Sequence, residues 1–193
     1  MNDYEFILKF KLPDAEEDAA KYLPALEAAG CDDAVIGTGQ PGRIAFDFMR
    51  EAETAEDAVY SAITTIHSVI EGAILIDASP DYVGLTDIAG ILDLSRQYIR
   101  KLIEQGHNTV PSPVYEGSIA IYHFSEILNW LEVSKKRRIE ASLKDVANVN
   151  RKLNYYKELM SLASSTEKAN DCIGQTIPED VRAILNSTSQ LAG

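Results

Sequence analysis

Arg96, Gln97, Arg100, Lys101 and Glu104 lie one, three and four residues apart from one another. On a helix that spacing gathers them on one side. Their chemistry is that of donors and acceptors held out to solvent. A guanidinium can give two parallel hydrogen bonds to guanine, and a glutamine amide can pair with the edge of adenine. A lysine further along the same face can hold a phosphate. Taken alone, the face has a second reading as the solvated side of some helical hairpin.

The neighbouring residues decide what positions this face. Ser95 is an N-cap type, and the helix it opens is expected to run to Gln105 and stop at Gly106, read as the residue of positive φ beyond the end. Ile99, Leu102 and Ile103 form the apolar side of that helix. Before it, Thr86 is expected to cap a shorter helix whose stripe is Ile88, Ile91 and Leu92. Gly90 costs helix propensity and is read as a place of close packing. Asp93-Leu94 makes the turn between the two helices.

After Gly106 the stretch Val110-Pro111-Ser112-Pro113 cannot continue a helix. Val114-Tyr115, a turn at Glu116-Gly117-Ser118, and Ile119 to Tyr122 then read as a hairpin. A third helix follows, with Ser125 as its expected cap, Phe124, Ile127, Leu128 and Leu131 as its stripe and Trp130 in its last turn.

This order resembles the winged helix-turn-helix domains of the MerR and excisionase (AlpA-like) superfamily. The residues that carry the likeness are Asp87-Ile88-Ala89, Leu94-Ser95-Arg96-Gln97, Pro111, Pro113-Val114, Gly117 and Ile127-Leu128-Asn129-Trp130-Leu131, within residues 82–131. The resemblance implies that Ser95, Arg96, Gln97 and Arg100 contact double-stranded DNA from a helix in the major groove. It also implies that the wing from Tyr115 to Ile119, with Ser118 at its tip, touches backbone or minor groove. Glu116 departs from the pattern, being acidic where a basic wing residue is expected.

Composition sets the bounds. The chain has 193 residues, 46% of them hydrophobic, which suits one or two small domains. No apolar run reaches the length of a membrane span, and no basic-then-apolar leader opens the sequence, so a cytoplasmic location is expected. Cys31 and Cys172 have no paired spacing and read as two reduced thiols. The net charge of −12 is concentrated in residues 1–79, which carry −11, while residues 80–140 carry −1. The bases of the middle segment cluster at Arg96, Arg100 and Lys101 and again at Lys135-Lys136-Arg137-Arg138. The second cluster reads equally as a phosphate contact or as a solvated turn.

The acidic part, residues 1–79, has strand signals at Tyr4–Leu12, Ala34–Gly37, Arg43–Met49 and Ala73–Asp77. Helices are expected from Pro13-Asp14 to Gly30, kinked or delayed by Pro24, and from Thr54 onward. The order βαββαβ is the ferredoxin-like plan. The glycine-rich run Gly37–Gly42 lacks the Lys-Ser/Thr ending of a phosphate loop and sits between strands, so it is read as a hairpin connection. Arg43, Asp47 and Arg50 are surface candidates, and His67, His107 and His123 lack the companions of a metal or catalytic set. No cofactor and no enzyme activity is expected.

Residues 134–163 continue the helical composition beyond Trp130. Ile139, Leu143, Val146, Leu153, Tyr156 and Met160 recur at near-heptad spacing, with Asn150 at a seam position. Such a helix must pack on something, and pairing with a second copy is expected, folding back on its own chain being the alternative. In residues 164–193, Ser164–Thr176 reads as a loose polar linker, and a short helix follows Ile177-Pro178 with Val181, Ile184 and Leu185 on one face. The fold class is thus α+β: a ferredoxin-like domain (1–79), a winged helix-turn-helix domain (80–133), a long dimerising helix and a tail. The expected function is that of a homodimeric DNA-binding transcriptional regulator. Two alternatives stand beside it. One is an antitoxin-type repressor that neutralises a protein partner through its acidic domain or tail. The other is an excisionase-like architectural protein of a mobile element.

Overall fold

A computed structural model describes residues 1–164 and 177–186. The fold is mixed α+β. Strand β1 (Asn2–Lys11) leads through a 3₁₀ turn (Ala19–Tyr22) to helix α1 (Leu23–Ala28), then to β2 (Ala34–Gly37), β3 (Arg43–Ala52), α2 (Ala55–Val69) and β4 (Ile74–Ser79). The four strands form one antiparallel sheet in the order β2-β3-β1-β4. The register pairs Phe6 with Phe48, Leu8 with Phe46 and Phe10 with Ile44. Alternation therefore sends Tyr4, Phe6, Leu8, Phe10, Ile44, Phe46 and Phe48 to one buried face. Thr54 caps α2 as expected, its hydroxyl accepting from the Asp57 amide at 3.1 Å. The Gly37–Gly42 run is a hairpin loop between β2 and β3. Gly42 has φ +66, and a Cβ there would lie 2.4 Å from the Ala15 carbonyl oxygen.

Two expectations for this part are corrected. The helix read from Pro13 to Gly30 is only α1, because Pro24 fits a helix's first turn and not its interior. Arg50 is not a surface residue. It is buried beside Phe48, gives two hydrogen bonds to the Asp33 carboxylate at 2.6 and 2.9 Å, and donates to the Gly30 carbonyl. Cys31 is buried and unpaired, and burial pushes its thiol pKa up; Cys172 lies outside the described residues.

The chain continues into β5 (Tyr82–Val83), α3 (Leu85–Ile91), α4 (Arg96–Gly106), a 3₁₀ turn (His107–Thr109), β6 (Tyr115–Glu116), β7 (Ala120–His123) and α5 (Phe124–Lys135). A second core forms here from Val83, Ile88, Ile99, Tyr122, Phe124, Ile127, Leu128, Trp130 and Leu131.

The long helix is broken and does not stand free. Helix α5 ends at Lys135, Lys136 takes a left-handed φ of +51, and α6 (Ala141–Ser164) begins anew. Val146, Val149 and Leu153 of α6 are buried in the core of the four-stranded sheet, while Ile139 and Ala147 are buried in the second core. Each of the valine, leucine and isoleucine side chains so buried contributes roughly 1.5–3 kcal/mol. The near-heptad stripe thus packs within the chain, the alternative that the sequence left open. Helix α7 (Glu179–Asn186) also docks at home: Ile177, Val181 and Leu185 are buried in the sheet core. Apart from Ser164, the linker Ser164–Thr176 lies outside the described residues. No helix of the described residues is long and apolar enough to cross a membrane.

Candidate nucleic-acid interface

Helices α3 and α4 meet at a tight turn. Asp93 takes a left-handed φ of +50, and the Leu94 amide donates back to the Ala89 carbonyl at 2.8 Å. Leu94 tucks against the second core. Ser95 then caps α4, its hydroxyl accepting from the Tyr98 amide at 3.2 Å. Ile99 is buried, and Leu102 and Ile103 are half-buried against the same core. The side that results outward holds Arg96, Gln97, Arg100 and Lys101, all exposed. The Arg100 Nε donates to Glu104 Oε1 at 2.7 Å, and this bond raises the guanidinium pKa. That pair is solvent-exposed, so swinging Arg100 away from it is cheap. The side chains of Arg96, Gln97 and Lys101 are exposed and have no hydrogen-bond partner among the described residues.

Tyr98 joins this face at 44% exposure, beside Gln97 and Lys101. The sequence reading missed it, because an aromatic next to Ile99 reads as core. Its signal is the Ser95 cap, which fixes the helix phase and puts Tyr98 outside the Ile99-Leu102-Ile103 stripe.

Several local expectations are corrected. Thr86 is not the cap of α3. Gly84 is the capping position, and the Asp87 carboxylate accepts from its amide at 2.8 Å. Ile91 is 40% exposed rather than core. Gly90 is not a close-packing glycine, since a Cβ there would meet nothing within 4 Å. Gly106 does not take positive φ; His107 does, at +44. Gly106 is instead the close contact, where a Cβ would lie 2.2 Å from Val110 Cγ2 and 2.8 Å from Trp130 Cζ2. The Trp130 Nε1 donates to the Thr109 hydroxyl at 3.1 Å, and that hydroxyl donates to the Gly106 carbonyl at 2.8 Å. This relay pins the end of α4 to α5.

The hairpin forms with Tyr115 opposite Ile121 and Glu116 opposite Ala120. Its turn is Gly117-Ser118-Ile119, one residue later than read, closed by the Gly117 amide donating to the Ile119 carbonyl at 3.2 Å. Tyr115, Glu116, Ser118 and Ile119 are exposed at its tip. The Tyr115 ring lies across Gly117, where a Cβ would come 2.3 Å from its hydroxyl oxygen.

Asp81 joins this module to the rest. Its buried carboxylate binds His123 Nδ1 at 2.8 Å and accepts from Asn154 Nδ2 of α6 at 2.9 Å, and its carbonyl accepts from the Phe124 amide at 2.7 Å. Ser125 is therefore not the cap of α5; it is buried within the first turn, and His123 precedes the helix. His67 packs edge-on to Phe10, and burial lowers its pKa; His107 is exposed at its turn. Among the described residues no three His, Cys, Asp or Glu side chains converge as a metal site.

Comparison of the chain with protein-family models, with curated proteins and with solved structures gave no match.

Proposed function

We propose that this chain is a sequence-specific DNA-binding regulator, in which a ferredoxin-like domain carries a winged helix-turn-helix module that reads the major groove through α4. The observation that carries the reading is the outward face of α4. Its buried side is locked to α5 and to the α3–α4 turn, while Arg96, Gln97, Arg100 and Lys101 project together from a rigid helix. Base contacts need side chains held on a well-packed element, and Arg and Gln are the residues whose donors match guanine and adenine. The exposed hairpin tip that follows supports the wing. The strand order β2-β3-β1-β4 supports the ferredoxin-like assignment.

The test is in vitro selection of a random duplex pool by the full chain at about 50 mM salt, where phosphate contacts are least screened. An enriched motif is expected. Arg96→Ala and Gln97→Ala should each weaken binding to that motif by about 1–3 kcal/mol, with preference relaxed at one position. Both side chains are exposed, so the melting temperature should hold. No enrichment by the folded chain would refute the reading.

A further inference from the structure

The run Lys135-Lys136-Arg137-Arg138 forms the elbow between α5 and α6. Its shape is fixed at both ends. The Lys135 Nζ lies 5.1 Å over the Trp130 ring, the Arg137 amide donates to the Leu131 carbonyl at 3.1 Å, and Ile139 is buried. Between these anchors the left-handed Lys136 throws its own side chain and that of Arg138 into solvent.

Arg137 and Arg138 line one wall of a groove of about 460 Å³; Ile91, Leu92 and Asp93 of the α3–α4 turn line the other. Ser95 and Arg96 follow that turn directly. The elbow therefore lies beside the N-terminal end of α4, the end that a reading helix presents to bases. Asp93 and Glu140 share the groove, but neither forms an ion pair with Arg137 or Arg138.

Three successive cations without a carboxylate partner distinguish the elbow. Lys9, Lys21, Arg50, Arg100, Lys144, Arg151 and Lys152 each have a carboxylate within ion-pair distance. Among the described residues Lys136, Arg137 and Arg138 have none, and nor do Arg96 and Lys101. Lys11, Arg43, Lys135, Lys157 and Arg182 have none either, but Lys11 and Arg43 stand as two, opposite each other on β1 and β3, Lys135 lies over Trp130, and Lys157 and Arg182 donate to the carbonyls of Ile76 and Ile177. In a chain of net charge −12, acids are plentiful enough to neutralise every base. Unpaired cations gathered on α4 and on the elbow beside it make a positive surface in an acidic protein.

We propose that Lys136, Arg137 and Arg138 hold phosphodiester oxygens of the DNA backbone flanking the bases read by α4. The inference rests on the DNA reading above and adds a contact outside the two helices and the wing. These cations lie on a fixed elbow, so they would set the helix's position along the groove without reading sequence.

The experiment compares the full chain with the variant K136Q/R137Q/R138Q on two probes: the duplex enriched by selection and a random-sequence duplex of equal length. Affinity is measured across a series of salt concentrations. For the variant, the plot of log affinity against log salt should be shallower by about 0.9 for each phosphate that is no longer neutralised. Both duplexes should weaken by a similar factor, and the preference between them should stay. If the triple variant melts early, Arg138→Gln alone, a change at an exposed side chain, should still lower the slope. An unchanged slope and affinity would overturn the elbow contact while leaving the DNA reading intact. A changed preference at constant slope would also overturn it, since the elbow would then act by orienting α4. Failure of the wild-type chain to bind either duplex would sink the reading and this proposal together.

Discussion

Two glycines sit in helices α3 and α4, and the structure gives their replacement opposite signs. At Gly106 an alanine Cβ would lie 2.2 Å from Val110 Cγ2 and 2.8 Å from Trp130 Cζ2. The valine methyl can yield by rotation about χ1. The indole cannot turn away without breaking its 3.1 Å bond to Thr109. Overpacking of this kind costs about 1–3 kcal/mol. The gain in helix propensity from Gly to Ala, at most about 1 kcal/mol, offsets part of it. Gly106 is the last residue of α4, so little of that propensity is gained, and the net for Gly106→Ala is a loss of roughly 1–3 kcal/mol. At Gly90 nothing lies within 4 Å and φ is not in the left-handed region, so only the propensity acts. Gly90→Ala should gain close to about 1 kcal/mol. For a chain of this size about 1 kcal/mol moves Tm by roughly 2–4 °C. Calorimetry of the two variants should therefore place them on opposite sides of the wild type. If Gly106→Ala melts at or above the wild-type temperature, Trp130 is not the rigid wall described, and α4 is not locked onto α5.

Alkaline pH should also read the joint. Burial, and then Glu158, push the Tyr82 hydroxyl up to about 12 from its usual 10.0. Because the folded value is the higher, this stabilisation is intact below about pH 10 and is lost as pH rises toward about 12. Tyr82→Phe should flatten the fall in Tm over that window. It should not abolish it, since burial pushes Tyr60 up to about 12 as well. Asn150 is fully buried on α6, and neither atom of its amide has a hydrogen-bond partner among the described residues. Relieving such a group is worth roughly 1–3 kcal/mol, so Asn150→Leu should raise Tm, and a lowered Tm would show that the amide is satisfied or that the site lacks room. A chain cut after Glu140 loses Val146, Ala147 and Leu153 from the two cores. It should show no cooperative melt by near-ultraviolet circular dichroism, and a native-like transition followed by the single Trp130 would refute that.

The sheet was readable because alternation states which face is buried without naming the partner. Phe6, Leu8 and Phe10 point to a core whatever covers it. The Ser95 cap and the hairpin were readable for a similar reason: their chemistry is local. What failed was tertiary. Thr86 and Ser125 are good capping types, yet the helix starts beside them are set by Asp87 and by the carbonyl of Asp81 across the fold. The stripe of α6 pointed to the right buried residues without naming what covers them, because periodicity reports burial and is silent on whose surface does the burying. For the same reason the close packing expected of Gly90 falls to Gly106, and the positive φ expected of Gly106 falls to His107. Only the position of Trp130 tells which helix glycine is a contact.

The acidity of residues 1–79 bears on how the proposed DNA binding can be tested. Those residues carry −11, and their removal looks like a simple way to relieve repulsion from DNA. The structure speaks against deletion. Helix α6 buries Val146, Val149 and Leu153 in the sheet core and Ala147 in the second core, and it holds Asp81 through Asn154. Stripping the sheet away would leave those apolar side chains bare and Asn154 without its Ala78 partner. Any loss of DNA binding would then report unfolding of the module, not the role of charge. Neutralising exposed carboxylates on the open face of the sheet keeps both cores whole. Glu5 and Glu51 lie on that face, on β1 and β3. Glu5→Gln with Glu51→Gln should strengthen binding to random duplex at low salt and leave sequence preference alone. The gain should fade as salt shortens the screening length to roughly 5 Å. A gain that persists at high salt would mean that these carboxylates touch the DNA directly.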